Sequence, residues 1–244
     1  MFRLSVIIPA YNEERRIIPT LRSVVDYLSK QSYHSEIIII SDGSSDQTLR
    51  VVDNFINEEN WDKNRLLIEI FEYAPNQGKG QAVKTGMLKA KGEWRLFMDA
   101  DNSTTINQIE NFWPSTKEHQ ILIGSRALKD ASIQKGQAWY RRLIGKSGNL
   151  LIRMFLIPKI HDTQCGFKLF SAPSAQELFS LQRMKGWSFD FEILAIASKK
   201  GFSIKEIPVF WQDSAETKLK AFSASWQTLK DLWDVRKRVK KLSN

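Results

Sequence analysis

The stretch EIIIISDGSSDQTLRVVDNFI, residues 36–56, contains the unit that repeats through the first half of the chain. A short apolar run is followed by a polar loop, and then by Leu49, Val52, Phe55 and Ile56 at helical spacing. Runs of Ile and Val without alternation are typical of parallel strands that are covered on both faces. The stretch therefore predicts a strand, a loop and a helix of a parallel α/β sheet.

Similar strand-like runs recur along the chain, and helical patterns separate them. The predicted strands are LSVIIP (4–9), EIIIIS (36–41), LLIEIF (66–71), EWRLFM (93–98) and ILIGSR (121–126). The predicted helices between them cover residues 13–28, 48–56, 81–90 and about 106–118. This alternation predicts a doubly wound, mostly parallel sheet with helices on both faces.

The second half of the chain has a different pattern, in which large apolar residues mix with Arg and Lys. Residues 136–160 indicate one or two amphipathic helices, and residues 189–201 indicate a helix that stops at a glycine. Residues 202–211 carry Pro208 and suit an edge strand. We expect one α/β domain over residues 1–222 and a basic amphipathic C-terminal helix over residues 223–244.

Composition narrows the class of protein. No stretch of the 244 residues approaches the roughly 20 apolar residues that span a bilayer, and the N-terminal sequence suits a first strand better than a secretory signal. The single cysteine, Cys165, excludes an intrachain disulfide and indicates a reducing, cytoplasmic setting. The net charge of +9 indicates an anionic partner, which could be nucleic acid, a phosphorylated ligand or acidic lipid.

Four polar loops follow the first four strands: PAYNEE (9–14), SDGSSDQT (41–48), NQGKGQA (76–82) and DADNS (99–103). Ligands of open α/β sheets bind beyond the carboxyl ends of the strands, so these loops predict one site at one sheet edge. Taken singly, each loop also suits a turn or a helix cap. Gly78-Lys79-Gly80 could cradle phosphate but lacks the P-loop spacing, and no G-x-G-x-x-G follows the first strand.

Asp99 and Asp101 lie one residue apart after a buried strand, where their carboxylates repel each other. A solvated turn is one interpretation, because Asp and Asn favour turns. A divalent cation site is the other, because hard cations bind carboxylate oxygens. The pair alone does not decide between them.

Together these motifs resemble the family 2 glycosyltransferases, in order and spacing and over nearly the whole chain. VIIPAYNEE, SDGSSDQT, NQGKGQAVKTGM, MDADNS and GSR carry the resemblance. DTQCGFKLF (162–170) and the stretch from IPVFW to TKLK (207–220) are similar to the branch of dolichyl-phosphate glucosyltransferases and mannose synthases. The resemblance implies a GT-A type, Rossmann-like fold and transfer of a hexose, with inversion, from a nucleotide sugar to a polyprenyl phosphate.

The resemblance also implies roles for individual residues. Asp99 and Asp101 would hold Mg²⁺ or Mn²⁺ on the donor's diphosphate, and Asp101, Asp162 and Arg126 would be catalytic. Asp162 would act as a base or as a structural, acceptor-orienting acid. The implied nucleotide-sugar site comprises Pro9, Tyr11, Glu13, Ile40, Asp42, Lys79, Asp99, Ala100, Asp101, Ser103, Arg126 and Lys218.

Two features favour UDP-glucose as the donor. Trp211 and QCGFK (164–168) look like the glucosyltransferase branch, and Gln212 stands where mannose synthases carry an Arg. This departure also puts in doubt whether Lys218 sits as it does in mannose synthases. The alternatives are a GDP-mannose-dependent enzyme of the same branch and a family 2 enzyme with a non-lipid acceptor.

A lipid acceptor requires contact with a membrane, and two segments suit a basic interfacial helix. Residues 139–157 include Trp139, Arg141, Arg142, Arg153 and Phe155, which we expect at an anionic membrane; residues 226–242 are similar in pattern. In the other interpretation, their apolar residues pack on the core. We expect a peripheral protein on the cytoplasmic face of a membrane.

A non-enzymatic membrane adaptor or nucleic-acid-binding protein is the competing class, but no nucleic-acid motif is present and no nucleic-acid partner is expected. The oligomeric state stays open.

Overall fold

The computed structural model describes residues 1–134, 149, 151–212 and 221–242. Trp139, Arg141, Arg142 and Lys218 lie outside these residues, as does most of the segment 136–160. The strands are β1 (Leu4–Ala10), β2 (Ser35–Asp42), β3 (Leu66–Tyr73), β4 (Trp94–Met98), β5 (Ile121–Ser125), β6 (Ser132–Gln134), β7 (Phe167–Ser171), β8 (Ile204–Pro208) and β9 (Phe210–Gln212). The helices are α1 (Ile17–Leu28), α2 (Thr48–Glu58), α3 (Lys79–Lys89), α4 (Ala172–Leu181), α5 (Phe189–Lys199) and α6 (Ala221–Lys240), and residues 151–155 are also helical.

A seven-stranded sheet forms the centre of the molecule, with the strand order β3-β2-β1-β4-β7-β5-β8. β1 pairs in parallel with β2 and β4, and β2 pairs in parallel with β3. β7 runs antiparallel between β4 and β5, while β8 is parallel to β5 at the edge. The strand order reverses at β1, so the carboxyl ends of β1 and its neighbours form the crevice in which such sheets bind ligands.

Apolar side chains on both faces explain why the central strands carry no polar alternation. Val6 and Ile8 belong to the apolar cluster shared with α1 and α2, whereas Ile7 belongs to the cluster on the opposite face with α3, α4 and α5. Burying one such side chain stabilises the fold by roughly 1.5–3 kcal/mol. The prediction of a doubly wound, mostly parallel sheet is therefore confirmed.

The helix expected at about 106–118 is wrong in type. The chain there forms two short 3-10 helices, Ile106–Asn111 and Trp113–Lys117, which meet at Phe112. Pro114 has no backbone N–H to donate and restricts the residue before it, which disfavours a continuous α-helix through this point. The expected strand 202–211 is also divided, into β8 and β9 at Val209.

The C-terminal helix α6 packs on α5 and exposes its other side. Leu232 and Val235 are buried in the apolar cluster, whereas Leu229 and Trp233 are exposed. Core packing is thus confirmed for Leu232 and Val235, and membrane contact by the exposed side of the helix stays a prediction. Across the described part of the chain, no helix is both long enough and apolar enough to cross a bilayer.

Candidate active site

The loops after β1 and β2 are hydrogen-bonded to each other. The backbone N–H of Glu13 donates to the Thr48 hydroxyl at 2.7 Å, and the Asn12 side-chain oxygen accepts from the backbone N–H of Ser45 at 2.8 Å. Tyr11, predicted to lie against the nucleotide, is exposed in the same loop. The two loops form one wall of the sheet edge.

Asp42, at the end of β2, shapes the loop that follows β3. Its Oδ1 accepts from the backbone N–H of Gln77 at 2.7 Å, and its Oδ2 accepts from that of Gly78 at 2.8 Å. Gly78 has φ +102°, and a Cβ there would lie 2.6 Å from the Lys185 carbonyl oxygen, so only glycine fits. This buried carboxylate holds the start of α3 in place; its predicted contact with the base stays a prediction.

Pro9 and Ile40 are buried residues of β1 and β2 whose side chains carry no polar group. The Ile40 side chain lies in the apolar cluster under α3, so only its backbone can reach the loop edge. Their side chains therefore support the strands rather than line an open surface.

Asp99 and Lys79 connect the third loop to the fourth. The Lys79 Nζ lies 2.6 Å from Asp99 Oδ1, and the Asp99 backbone N–H donates to the Gly166 carbonyl oxygen at 3.1 Å. A Cβ at Gly166 would lie 1.9 Å from Asp99 Oδ2, so the carboxylate rests directly on this glycine. Burial alone would lower the pKa of Lys79, but Asp99, Asp190 and Asp101 together raise it, and the ammonium stays charged. The predicted convergence of the four loops at one edge is confirmed.

Asp101 lies in a tight turn beside Asp99. Its Oδ1 accepts from the backbone N–H of Ser103 at 3.0 Å, and Asn102 between them adopts a left-handed conformation with φ +55°. The carbonyl of Ala100 accepts from the Thr20 hydroxyl at 2.7 Å, which fixes the turn to α1. The turn keeps Asp101 within electrostatic reach of Lys79.

Ser103 carries a polar atom that the surrounding protein leaves unpaired. Among the described residues, its buried Oγ has no hydrogen-bond partner. Its carbonyl oxygen accepts from the backbone N–H of Gln212 at 2.8 Å, which places β9 beside the fourth loop. A buried hydroxyl without a partner is costly, and a ligand oxygen would satisfy it.

The carboxylates fit a divalent cation that is shared with a substrate. Within the described residues, no group of three or more His, Cys, Asp or Glu side chains forms a complete metal cage. Mg²⁺ is typically held by one or two carboxylates together with substrate phosphates and water. Asp99 and Asp101, with Lys79 beside them, match that donor set.

Arg126 and Asp162 form the second charged pair of this edge. The backbone N–H and Nε of Arg126 donate to Asp162 Oδ2 at 2.9 and 2.8 Å, and its Nη2 donates to Oδ1 at 3.0 Å. Burial alone would raise the pKa of Asp162, but the guanidinium holds that pKa below its ordinary value. The pair brings together two residues that the sequence singled out separately.

The loop around Asp162 is held from behind by Glu206 of β8. Its carboxylate accepts the backbone N–H groups of His161 and Asp162, both at 2.9 Å. On the other side, the guanidinium of Arg126 lies 5.5 Å from the Trp211 ring centroid. DTQCGF, GSR and IPVFW therefore meet at one place.

Four residues at the edge were not predicted as site residues: Gly166, Lys168, Trp187 and Asp190. Lys168 and Asp190 form a buried ion pair, and the exposed Trp187 ring lies 4.6 Å from Lys79 Nζ. A lysine within the apolar run FKLF and an acid between two phenylalanines in FDFE are the sequence signals that could have identified the buried pair.

The family model for glycosyl transferase family 2 matches residues 5–179. The chain belongs to glycosyltransferase family 2. The matched span includes all four loops, Arg126 and Asp162, so the geometry described above is that of a glycosyltransferase. The resemblance inferred from the motifs is confirmed.

This glycosyltransferase is similar to curated enzymes named dolichyl-phosphate beta-glucosyltransferase. It is 35% identical to the one from Dictyostelium discoideum over 96% of this chain and 74% of that relative. It is 33% identical to the human one, with coverage of 97% and 75%, and 34% identical to the Saccharomyces cerevisiae one, with coverage of 96% and 74%. The glycosyltransferase thus spans about three quarters of the length of these three relatives.

Solved structures share the fold at low sequence identity. Mannosyl-3-phosphoglycerate synthase from Rubrobacter xylanophilus superimposes with a TM-score of 0.73 at 13% identity, covering 100% of this chain and 76% of that one. Glucosyl-3-phosphoglycerate synthase from Mycobacterium tuberculosis, in complex with Mn²⁺ and UDP-glucose, gives 0.68 at 17% identity, covering 97% and 79%. The predicted GT-A type fold of this glycosyltransferase is confirmed.

Proposed function

We propose that this glycosyltransferase transfers glucose from UDP-glucose to a polyprenyl phosphate at an anionic membrane surface. The observation that carries the proposal is the pair Asp99 and Asp101 beside the Lys79 ammonium, with the Lys79 Nζ 2.6 Å from Asp99. Two acids and a cation at a strand end suit a diphosphate with its divalent cation. The similarity to dolichyl-phosphate glucosyltransferases supports the lipid acceptor.

On the donor side, the first loop and the end of β2 receive the nucleoside. The third and fourth loops receive its phosphates. Tyr11 is exposed for contact with the base, while the unpaired Ser103 hydroxyl is available to a phosphate oxygen. A bound Mg²⁺ or Mn²⁺ would supply Lewis-acid stabilisation of the departing nucleoside diphosphate. Lys79 adds positive charge for the same leaving group.

On the acceptor side, the reaction needs no strong base. The second pKa of a phosphate monoester is near ~6, so the acceptor is mostly dianionic at neutral pH and attacks the anomeric carbon directly, with inversion. The Asp162 carboxylate, saturated by Arg126 and with a lowered pKa, is a poor proton acceptor. We assign it to positioning Arg126, whose guanidinium attracts the acceptor phosphate.

Membrane contact is supported by what we name the basic-aromatic surface, formed by Phe155, Trp233, Arg236 and Lys237. The Arg236 guanidinium lies 5.6 Å from the Phe155 ring centroid, and Lys237 Nζ lies 5.3 Å from that of Trp233. Both aromatic rings are exposed. Aromatic rings beside basic groups suit the interface of an anionic leaflet, which we propose to be the cytoplasmic one.

Phe155, from the first segment that the sequence indicated as interfacial, therefore lies beside Arg236, from the second. Of the five residues predicted for membrane contact, Phe155 is exposed there and Arg153 is half-buried. Each basic group near an anionic surface contributes about 1 kcal/mol, and the aromatic rings add a contribution that salt does not screen.

A donor and acceptor screen tests the proposed reaction. UDP-glucose, UDP-galactose, UDP-N-acetylglucosamine and GDP-mannose are each incubated with a short polyprenyl phosphate, with and without Mn²⁺. We expect a glucosylated lipid phosphate only with UDP-glucose and the cation. Turnover of GDP-mannose instead would assign the enzyme to the mannose branch, and transfer to water or a soluble sugar alone would overturn the lipid acceptor.

Vesicle co-sedimentation tests the membrane surface. The variant Arg236→Glu/Lys237→Glu should lose at least tenfold in binding to anionic vesicles, since reversing two charges removes about 2 kcal/mol or more. Lys30→Glu/Lys117→Glu is the matched control, because it makes the same charge change on exposed positions of the opposite helix layer. Equal binding of the two variants would remove the basic-aromatic surface from the proposal.

A further inference from the structure

Beneath Asp99 lies a cluster of alternating charges that the proposed reaction does not use in full. Lys79 pairs with Asp99, and the Lys168 ammonium pairs with Asp190 at positions that are almost completely buried. Phe97 lies near both lysines, with its ring centroid 5.1 Å from Lys79 Nζ and 5.8 Å from Lys168 Nζ. Asp190 also attracts Lys79 through space. Lys79 thus lies between an acid at the open edge and an acid in the interior.

The Lys79 ammonium is confined but not sealed. Its side chain is 14% exposed, and the rings of Phe97 and Trp187 lie within cation–π distance of the ammonium, at 5.1 and 4.6 Å. Lys79 is also the first residue of α3, where the helix dipole disfavours a cation. Its place therefore depends on the neighbouring acids, and Asp99 is the closer of these.

Lys168 and Asp190 differ from Lys79 in having little freedom. Lys168 is register-paired with Phe97 across β4 and β7, and Asp190 lies in the first turn of α5. Because both groups are buried and paired with each other, Asp190 is held in place within electrostatic reach of the Lys79 ammonium. Asp190 is a fixed acid in the interior, and Asp99 is a partly exposed acid at the edge. This arrangement suits a Lys79 ammonium that moves a short distance.

We propose that Lys79 is the resident counter-ion of Asp99, and that its ammonium leaves Asp99 for the donor's diphosphate when Asp99 takes a divalent cation. Asp190, held by Lys168, stays within electrostatic reach of the released ammonium. This inference rests on the proposed function, since it assigns the donor's diphosphate as the second partner of Lys79.

The exchange has a thermodynamic consequence. An ammonium 2.6 Å from Asp99 Oδ1 occupies the oxygen that a divalent cation needs, and two cations on one carboxylate repel each other. Lys79 therefore weakens binding of the cation alone, and the diphosphate relieves the conflict by accepting the displaced ammonium. Cation and nucleotide should consequently bind with positive coupling, and Lys79 should be the residue that carries it.

Calorimetry with Mn²⁺ alone, and with UDP in the presence of Mn²⁺, tests the exchange in the full chain. For Lys79→Met we expect Mn²⁺ alone to bind about threefold to tenfold tighter, while UDP with Mn²⁺ binds at least tenfold weaker. Lys89→Met is the matched control, because Lys89 ends the same helix with its ammonium over Phe71, and both affinities should be unchanged. A lysine that only binds phosphate would leave the Mn²⁺ affinity unchanged, and that result overturns the exchange.

A second variant keeps Lys79 in place. Lys168→Met removes the fixed partner of Asp190, so Asp190 should draw the Lys79 ammonium from Asp99 and tighten binding of Mn²⁺ alone by about threefold. Unchanged or weaker Mn²⁺ binding in a variant whose thermal melt is cooperative contradicts the support assigned to Lys168 and Asp190. If wild type binds Mn²⁺ but no UDP, the proposed function fails, while the Mn²⁺ comparison still tests the ion exchange.

Discussion

Two aspartates at the same sheet edge are each paired with a cation, and the two pairs are built differently. The Asp99 side chain is 32% exposed and meets one atom of a flexible lysine. The Asp162 side chain is 8% exposed and receives three hydrogen bonds from Arg126, two from the guanidinium and one from the backbone. The first pair is open to exchange with a ligand, and the second is closed.

The difference implies different roles for Asp99 and Asp162, although the sequence predicted both as site residues. An exposed carboxylate with one ionic contact can bind a metal after a small movement of its partner. A buried carboxylate with a bidentate guanidinium keeps a fixed geometry, because breaking it would leave an unpaired charge in the interior. We therefore expect mutations in the open pair to change ligand binding, and mutations in the closed pair to change stability as well.

The largest expected effect is on turnover. Asp101→Asn, next to the open pair, should reduce sugar transfer by about 100-fold or more, since it removes a carboxylate that stabilises the departing diphosphate through the metal. Turnover with UDP-glucose and a polyprenyl phosphate is the measurement, and calorimetry should show weaker Mn²⁺-dependent UDP binding. Undiminished Mn²⁺-dependent UDP binding in a folded variant would exclude the metal role.

The next effect separates the two pairs by stability. Asp162→Asn should lower the free energy of unfolding by on the order of 3 kcal/mol, because it breaks a buried ion pair. Asp99→Asn should cost about 1 kcal/mol or less, because that pair is partly exposed. Urea unfolding at pH 7 measures both, with Glu177→Gln as a surface ion-pair control. Equal losses of unfolding free energy in the two variants would contradict the distinction between an open and a closed pair.

The third effect is the pH dependence of the closed pair. Because the pKa of Asp162 is lower in the folded protein than its ordinary value of about 4, the ionised form stabilises the fold at neutral pH. This stabilisation is present above about pH 4 and is lost as pH falls through the lower folded pKa. The gap in urea midpoint between wild type and Asp162→Asn should therefore narrow from pH 7 towards pH 3.5. If the difference in urea midpoint between wild type and Asp162→Asn widened in acid, that result would contradict a lowered pKa of Asp162 in the folded protein.

The smallest effect is an expected absence of change in a pH–rate profile. If Asp162 positions Arg126 and the acceptor phosphate needs no base, Asp162→Asn should lower turnover but keep the acidic limb near pH ~6. If Asp162 were the general base, its removal would eliminate or shift the acidic limb of the pH–rate profile. Rates from pH 5 to 8, compared with wild type, measure the limb, and its disappearance would make Asp162 the base.

The sequence predicts the first half of the fold and the four loops because the signals there are local. Each strand is a short, mostly apolar run, and each loop follows it directly, so parallel topology alone brings the loops together. The antiparallel insertion of β7 was not predicted, because its pairing with β4 joins Leu96 to Leu169, far apart along the chain. The Arg126–Asp162 bond spans 36 positions and has the same limit.

Lys168 and Asp190 show a second limit. A charged residue in an apolar strand suggests an exposed position when read alone, and only the fold reveals that the two charges neutralise each other in the interior. The 3-10 helices near Pro114 show the opposite case, since the proline was visible in the sequence and its effect on a continuous helix is local.

The insertion of β7 beside β4 also affects how the protein is made on the ribosome. When β4 emerges, its neighbour on one side is still to be synthesised, because Trp94 pairs with Ser171. At ~5–20 residues per second, the nascent chain waits roughly 4–15 s with the apolar strand WRLFM open along one edge. Open apolar edges pair with other chains, so misassociation of β4 during translation should concentrate in this interval and decrease when FKLFS emerges to pair with it.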